Sequence, residues 1–193
     1  DTASSLGNPV VSYEVTVVDK FLNRSKALVL DPIKLTGNGL QDKSGWTVST
    51  NMSSAQDSVP PATDDDPDAP APKPASELMV DGKADTVYTG ASDGEDPVIT
   101  LDMGKPTEVT SLRYTLGAGA EGSAIGDYRI ETSLDGENYT LIKEGALSLD
   151  KDGRASLYFD NGKDPWICTY DARYLRITAV GQAGRQLSVA ELN

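Results

Sequence analysis

Oxygen-bearing side chains lie close together in a turn-forming segment near the middle of the chain. Asp81, Asp85 and Thr86 follow one another at short spacing, and Gly82 permits the tight turn that such a segment needs. Carboxylates, hydroxyls and backbone carbonyls are the ligands that calcium prefers in proteins. Glu191 offers a further carboxylate near the end of the chain. The alternative interpretation is that Asp81 and Asp85 end a strand in an Asx-type turn and that Glu191 faces solvent.

The chain contains no histidine, and this limits the catalysis that it can perform. Without histidine it lacks the usual general base at neutral pH, the Ser/His and Cys/His nucleophile pairs, and most kinds of zinc site. Asp93 and Glu95 are paired carboxylates, but glycosidic chemistry needs carboxylates held at a fixed separation on a rigid frame, and this acidic segment reads as a loop. We therefore expect no catalytic residues and a protein that binds a ligand without transforming it.

The charge of the chain restricts its partners. The formal net charge is −13 and the isoelectric point is about 4.3. Such a chain repels nucleic-acid phosphates and anionic lipid surfaces, so neither is an expected partner. No apolar run approaches the roughly 20 residues of a membrane span, so we expect no membrane insertion. Cations and neutral molecules remain as candidate partners.

The elements that would position these residues are strands. A period-two pattern over residues 12–17 and a second apolar run over residues 27–30 predict two strands within residues 1–43. These strands are either outer strands of the main domain or the tail of a preceding β-domain. Residues 44–193 form the main predicted domain. Within it, residues 53–76 are dominated by Pro, Ala, Ser and Asp, which predicts a surface loop insertion.

Beyond this loop, short apolar runs alternate with turns at the spacing of an all-β sandwich. No segment keeps a helical period over three turns, so helix should be minor. Alternation of apolar side chains along several runs gives each strand one buried face. The predicted strands are residues 98–101, 109–116, 128–133, 139–143, 155–159, 174–179 and 187–192.

Several segments, in this order and spacing, resemble the discoidin or coagulation factor V/VIII type C family, which includes the family 32 carbohydrate-binding modules of bacterial glycoside hydrolases and adhesins. They are GWTVS (45–49), LMVDGKADTVY (78–88), YRIETSLDGENY (128–139), ARYLRI (172–177) and SVAEL (188–192). The resemblance implies an all-β jelly-roll sandwich of the galactose-binding-like type for residues 44–193. It also implies that Trp46 and Tyr88 pack inside the sandwich.

In this family the Asp-Gly segment and the terminal Ala-Glu pair meet around a structural calcium. The resemblance therefore implies that Asp81, Thr86 and Glu191 supply side-chain ligands. By the same carry-over, carbonyl oxygens come from Lys83, Asp85, Thr86 and Ala190. Calcium is the expected cofactor, and an all-oxygen set with no vacant position activates no water.

The sugar site of the family transfers less well. Sugar-binding members use an aromatic platform together with histidine, arginine and asparagine from loops, but this chain has no histidine and small residues over 117–120 where an arginine is common. The loop at residues 181–186 lacks the aromatic platform. The polar side chains that remain at the expected binding end are Asp93 and Glu95 from one loop, Glu121 from a second, and Gln182, Arg185 and Gln186 from a third. They are either ligand contacts or ordinary solvated loop residues.

Two functions follow from the resemblance. The first is a non-catalytic carbohydrate-binding accessory module of a larger bacterial protein, secreted or at the cell surface. Its partner would be a glycan containing galactose or an N-acetylhexosamine, and the module would be a monomer attached to other domains. The second is a structural spacer or protein-protein interaction domain that keeps the fold but has lost the sugar site. The missing histidine and loop arginine favour the second function.

Overall fold

The computed structural model describes residues 42–54, 74–159 and 169–193, together with short stretches between residues 10 and 34. Most of the predicted loop insertion at residues 53–76 lies outside the described residues. The chain divides into two compact units, Asp1–Asp42 and Lys43–Asn193.

The first unit contains short antiparallel pairs of strands. They are β1 (Val10–Val11), β2 (Glu14–Val15), β3 (Leu28–Val29) and β4 (Ile33–Lys34). Strand β1 pairs with β4, and β2 pairs with β3. The β2–β3 pair lies within the two predicted runs, and the β1–β4 pair lies outside them.

The second unit is built from antiparallel sheets. Its described strands are β5 (Thr47–Thr50), β6 (Met52–Ser53), β7 (Tyr88–Ser92), β8 (Val98–Val109), β9 (Ser111–Thr115), β10 (Asp127–Ser133), β11 (Thr140–Ala146), β12 (Arg154–Tyr158), β13 (Tyr170–Val180), β14 (Gln186–Val189) and β15 (Glu191–Leu192). In the described part of the chain they form a five-stranded sheet in the order β11-β10-β13-β8-β5 and two three-stranded sheets, β12-β9-β15 and β14-β7-β6. Short 3-10 helices span Ala75–Val80 and Glu121–Ser123. The predicted all-β sandwich is confirmed.

Two strands differ from their predicted bounds in ways that matter for the site. Strand β8 continues to Val109 although Asp102, Gly104 and Pro106 interrupt its apolar pattern, because pairing with β13 supports it across a bulge. The predicted strand at residues 187–192 divides at Ala190 into β14, which pairs with β7, and β15, which pairs with β9. The C-terminal residues therefore pass from one sheet to another.

Alternate apolar side chains of the strands fill the core between the sheets. Ile99 and Leu101 on β8, and Leu175 and Ile177 on β13, are almost completely buried, as expected of strands with one inward face. Burying each such side chain stabilises the fold by about 1.5–3 kcal/mol.

Trp46 and Tyr88 are both buried, which confirms the expectation that they are core residues. The hydroxyl of Tyr88 donates to the Met52 carbonyl at 3.0 Å, so its polar end is satisfied inside the protein. Neither aromatic ring is available as a surface platform for a ligand.

Candidate functional site

The passage of the C-terminal strand between sheets positions Glu191. This residue begins β15, opposite Thr115 of β9, and is only 5% exposed. The 3-10 helix Ala75–Val80 packs against β15, and Asp81 follows the last residue of that helix directly. The fold thus returns the end of the chain to the neighbourhood of the Asp-Gly segment, and Glu191 does not face solvent as the alternative interpretation supposed.

Lys43 connects the two segments. Its ammonium forms an ion pair with Glu191 Oε1 and donates to the Leu192 carbonyl at 3.2 Å. The side chains of Lys43 and Glu191 are 11% and 7% exposed. Burial lowers the pKa of Lys43 to about 8, and the negative charge of Asp81 opposes this shift. The ammonium of Lys43 therefore interacts electrostatically with the carboxylates of both Glu191 and Asp81.

The segment that begins at Asp81 is crowded with oxygen atoms. The hydroxyl oxygen of Thr86 lies 2.9 and 2.8 Å from the two carboxylate oxygens of Asp81, and 3.1 Å from the Lys83 carbonyl. One hydroxyl carries a single proton and satisfies one of these acceptors well. Lys83 N donates to Asp81 Oδ1 at 2.9 Å, so the Asx-type turn is present as well, and Gly82 adopts φ +83°. A set of hard oxygens with too few protons suits a hard cation.

The carboxylates are few. Among the described residues, no three Asp, Glu, His or Cys side chains are grouped so that they could hold a metal ion. A cation here would depend on Asp81 and Glu191, with the Thr86 hydroxyl and backbone carbonyls completing its coordination. The second oxygen of Glu191, Oε2, is buried and has no hydrogen-bond partner in the described structure. We call Lys43, Asp81, Thr86 and Glu191 the cation corner.

Of the other residues predicted at the calcium site, Lys83 and Asp85 are exposed and Ala190 is buried between β14 and β15. Asp81 is also exposed, and Thr86 is half-buried. The described contacts join Thr86 to Asp81 and Lys83. The ligand roles assigned to the carbonyls of Lys83, Asp85, Thr86 and Ala190 stay predictions.

A buried glutamine joins the loops in which ligand contacts are predicted. Gln182 is 6% exposed, and its amide oxygen accepts from Gly126 N at 2.7 Å while its amide nitrogen donates to the Ala124 carbonyl at 3.1 Å. Its backbone N–H donates to Asp96 Oδ1 at 3.0 Å. The loops at residues 93–97, 117–126 and 181–185 therefore converge, and we call them together the loop end.

The predicted ligand residues of the loop end fall into two groups. Gln182 lies beneath the surface with both amide atoms bonded to backbone, so it positions the loops and presents no free amide to a ligand. The others are exposed: Asp93, Glu95, Glu121, Arg185 and Gln186. The exposed residues bring a guanidinium and carboxylates to one end of the sandwich, a mixture of donors and acceptors suited to hydroxyl groups.

Two residues that support these regions, Asn51 and Lys43, are not singled out by the sequence. Asn51 joins the loop end, since its side chain accepts from Val98 N at 2.8 Å and donates to the Asp96 carbonyl at 3.0 Å. Lys43 had been placed in the N-terminal segment. A lone lysine or asparagine is usually solvated, so the sequence carried no signal for either role.

The family model for the F5/8 type C domain matches residues 62–192, which is more than half of the chain. The chain belongs to the F5/8 type C domain family. The resemblance expected from the sequence motifs is confirmed.

Solved structures share the fold of this F5/8 type C domain. The family 32 carbohydrate-binding module of NanJ from Clostridium perfringens, in complex with galactose, is 25% identical with a TM-score of 0.58, and the match covers 78% of this chain and 93% of that one. A family 32 module of a family 31 glycoside hydrolase from the same organism is also 25% identical, with a TM-score of 0.51 and coverage of 74% and 92%.

A further family 32 module from Clostridium perfringens, in complex with GalNAc-β-1,3-galactose, has a TM-score of 0.57 at 21% identity, and the match covers 78% of this chain and 95% of that one. At this identity the match supports the fold alone. In the described part of the chain, no helix has the length and apolar character needed to cross a membrane.

Strand β7 runs between the two regions of the F5/8 type C domain. The segment from Asp81 to Thr86 precedes Tyr88, the first residue of β7, and the loop at residues 93–97 follows its last. The five residues of β7 extend over roughly 15 Å, at about 3.3 Å per residue. The loop at residues 117–126 begins closer to the cation corner, because a Cβ atom on Gly117 would lie 2.6 Å from Val87 Cγ1.

Proposed function

We propose that this F5/8 type C domain is a non-catalytic carbohydrate-binding module of a larger extracellular protein. The observation that carries the proposal is the loop end, where Gln182 fixes three loops beneath an exposed rim of polar side chains. A preformed rim with few, fixed polar groups is a common design for small-ligand sites. The NanJ module, which is similar to this chain over most of its length, is a complex with galactose.

The rim of the loop end supplies the chemistry for sugar hydroxyls. Arg185 offers a planar fork of donors that matches neighbouring hydroxyl groups, and the carboxylates of Asp93 and Glu95 offer acceptors. These groups are exposed, so each contact is weakened by competition with water and the affinity should be modest. A module of modest affinity is still useful when it is tethered, because binding raises the local concentration of the attached domain. A galactose- or N-acetylhexosamine-containing glycan is the proposed partner.

A structural calcium ion completes the proposal. Asp81, Thr86 and Glu191 would bind it through side chains, with carbonyls of Lys83, Asp85, Thr86 and Ala190 in support. A calcium ion held by protein oxygens would crosslink the Asp81 segment to β15 and would stabilise the fold without taking part in a reaction. The oxygen crowding around Thr86 and the unpartnered Glu191 Oε2 support this assignment.

One observation favours a second function, a spacer or protein-protein interaction domain. The described loops at residues 93–97, 117–126 and 181–185 contain no aromatic residue, and the whole chain has no histidine. Sugars bind well when an aromatic ring covers their apolar face, so the described part of the loop end lacks the strongest of the usual contacts. In this case the fold and its cation would remain while the rim of the loop end contacts a protein.

The test is a glycan array probed with the full chain in calcium and in EDTA. We expect saturable binding to glycans with terminal galactose or N-acetylgalactosamine, and we expect Arg185→Ala to weaken it by about tenfold, which corresponds to ~1.4 kcal/mol. Arg173→Ala is the matched control, because it removes the same charge from a position seven residues before the end of β13, roughly 23 Å from the loop that holds Arg185 at about 3.3 Å per residue. If no glycan binds while calcium still raises the melting temperature, the second function is supported.

A further inference from the structure

The cation corner already contains a cation that belongs to the protein. The Lys43 ammonium pairs with Glu191 Oε1 and also donates to the carbonyl of Leu192, the residue that follows. Both side chains of the pair are about nine-tenths buried, so the contact is not a surface ion pair that water screens. The charge of Asp81 acts on the same ammonium. Lys43 thus pairs with one of the two carboxylates on which a metal ion would depend and is influenced by the charge of the other.

The two carboxylates of the cation corner cannot balance the charges of calcium and of the Lys43 ammonium at the same time. Asp81 and Glu191 carry one negative charge each, and Lys43 neutralises one of them. A calcium ion alone would balance both carboxylates, whereas calcium together with Lys43 would leave the corner positive. Because like charges held in the same partly buried corner repel each other, the ammonium disfavours the metal ion. The geometry adds to this effect, since Glu191 offers one oxygen to Lys43 and only Oε2 remains without a partner in the described structure.

From this arrangement we infer that the Lys43 ammonium is an internal counter-ion that occupies Glu191 when calcium is absent and competes with calcium for that carboxylate. The inference rests on the calcium site of the proposed function and adds a second state to it. In the metal-free state Lys43 holds the start of β15 to the segment before β5, so that the buried carboxylate is never unpaired. In the calcium-bound state the metal ion takes over Glu191, and Lys43 is displaced toward its remaining acceptor. Compared with a domain that lacks this ammonium, the protein is more stable without calcium and binds calcium more weakly.

The experiment compares the full wild-type chain with Lys43→Met and Lys105→Met after removal of metal. Methionine keeps the length and apolar stem of lysine without its charge, and Lys105 is an exposed lysine of β8 that serves as the control. Calcium affinity is measured by titration calorimetry, and melting temperature is measured in EDTA. We expect Lys43→Met to bind calcium at least about tenfold more tightly than wild type and to melt at a lower temperature in EDTA. Lys105→Met should match wild type in both measurements.

The outcomes separate this inference from the calcium proposal. Calcium binding that is equal in wild type and Lys43→Met would leave the calcium proposal standing and overturn the competition. Absence of calcium binding in both proteins would overturn the calcium proposal, and the competition with it. Calcium binding in both proteins that is tighter in Lys43→Met would support both, whereas binding found only in the variant would support the competition and overturn a structural calcium ion in the wild-type domain.

A measurement on wild type guards against a Lys43→Met variant that does not fold. The side-chain ammonium of Lys43, buried and hydrogen-bonded, should give a ¹⁵N-detected NMR signal in EDTA. Saturating calcium should shift or abolish this signal, and a signal that calcium leaves unchanged would overturn the inference.

Discussion

The cation corner and the loop end place their polar groups in opposite ways. The cation corner keeps a carboxylate and an ammonium inside, at Glu191 and Lys43. The loop end keeps a neutral amide inside, at Gln182, and leaves its charged side chains exposed. A buried charge constrains everything around it, because removing one partner leaves the other unpaired. A buried amide that bonds only to backbone fixes the shape of the loops while leaving their exposed side chains free to differ. The fold therefore fixes the side chains of the cation corner, whereas the exposed side chains of the loop end can change without disturbing the fold.

The largest effect should come from breaking the buried ion pair. Glu191→Ala leaves the Lys43 ammonium buried without its carboxylate, and we expect the free energy of unfolding in EDTA to fall by about 3 kcal/mol. Urea unfolding followed by circular dichroism measures this change. Glu144→Ala, which removes an exposed carboxylate from β11, should change stability by less than about 0.5 kcal/mol. A loss below about 1 kcal/mol in Glu191→Ala would mean that Lys43 reaches water easily, and the contrast between the regions would weaken.

Disrupting the loop end should lower the free energy of unfolding by a smaller amount, and its effect should be local. Gln182→Ala removes two hydrogen bonds that join residues 124–126 to the loop at 181–185, and we expect a loss of about 2 kcal/mol. Hydrogen exchange should become faster in these loops and stay unchanged in β13 and β8. The exposed neighbour Gln186 is the control, and Gln186→Ala should leave stability within about 0.5 kcal/mol of wild type. Faster exchange throughout the sandwich would show that Gln182 supports the whole fold and not the loops alone.

The sequence predicted the cation corner in part because local chemistry and a family motif agree there. Asp81, Gly82 and Thr86 form a recognisable turn, and the structure places Glu191 nearby and buried. The sequence does not predict the role of Lys43, because its partner Glu191 is distant along the chain. Only the passage of the C-terminal strand from β14 to β15 brings the two residues together. The same passage was read as one continuous strand, since the run from Leu187 to Leu192 is apolar throughout except at Ser188 and Glu191.

The loop end was predicted less well, for a physical reason. Polar residues in loops look alike in sequence whether they face a ligand or support the backbone. Gln182 and Gln186 lie four positions apart and have the same type of side chain, yet Gln182 is 6% exposed and Gln186 faces solvent. The role of Gln182 is set by Ala124, Gly126 and Asp96, which come from other loops. The strand pattern thus predicted the sandwich, but not which side of each loop meets the solvent.

The smallest expected effect comes from a partly exposed ion pair that serves as a baseline for burial. Arg173 binds both carboxylate oxygens of Asp102 at 2.9 Å, with side chains 38% and 25% exposed, and this hydrogen bonding lowers the pKa of Asp102. A lowered carboxylate pKa contributes stability above the unfolded value of about 3.9, which is lost as the pH falls through the folded pKa. We expect Asp102→Asn to cost less than about 1 kcal/mol at pH 7, because solvent screens the pair, and to cost nothing at a pH below the folded pKa. Urea unfolding between pH 7 and acid pH measures this difference. A loss at pH 7 as large as that of Glu191→Ala would mean that geometry, and not burial, sets the strength of ion pairs in this domain.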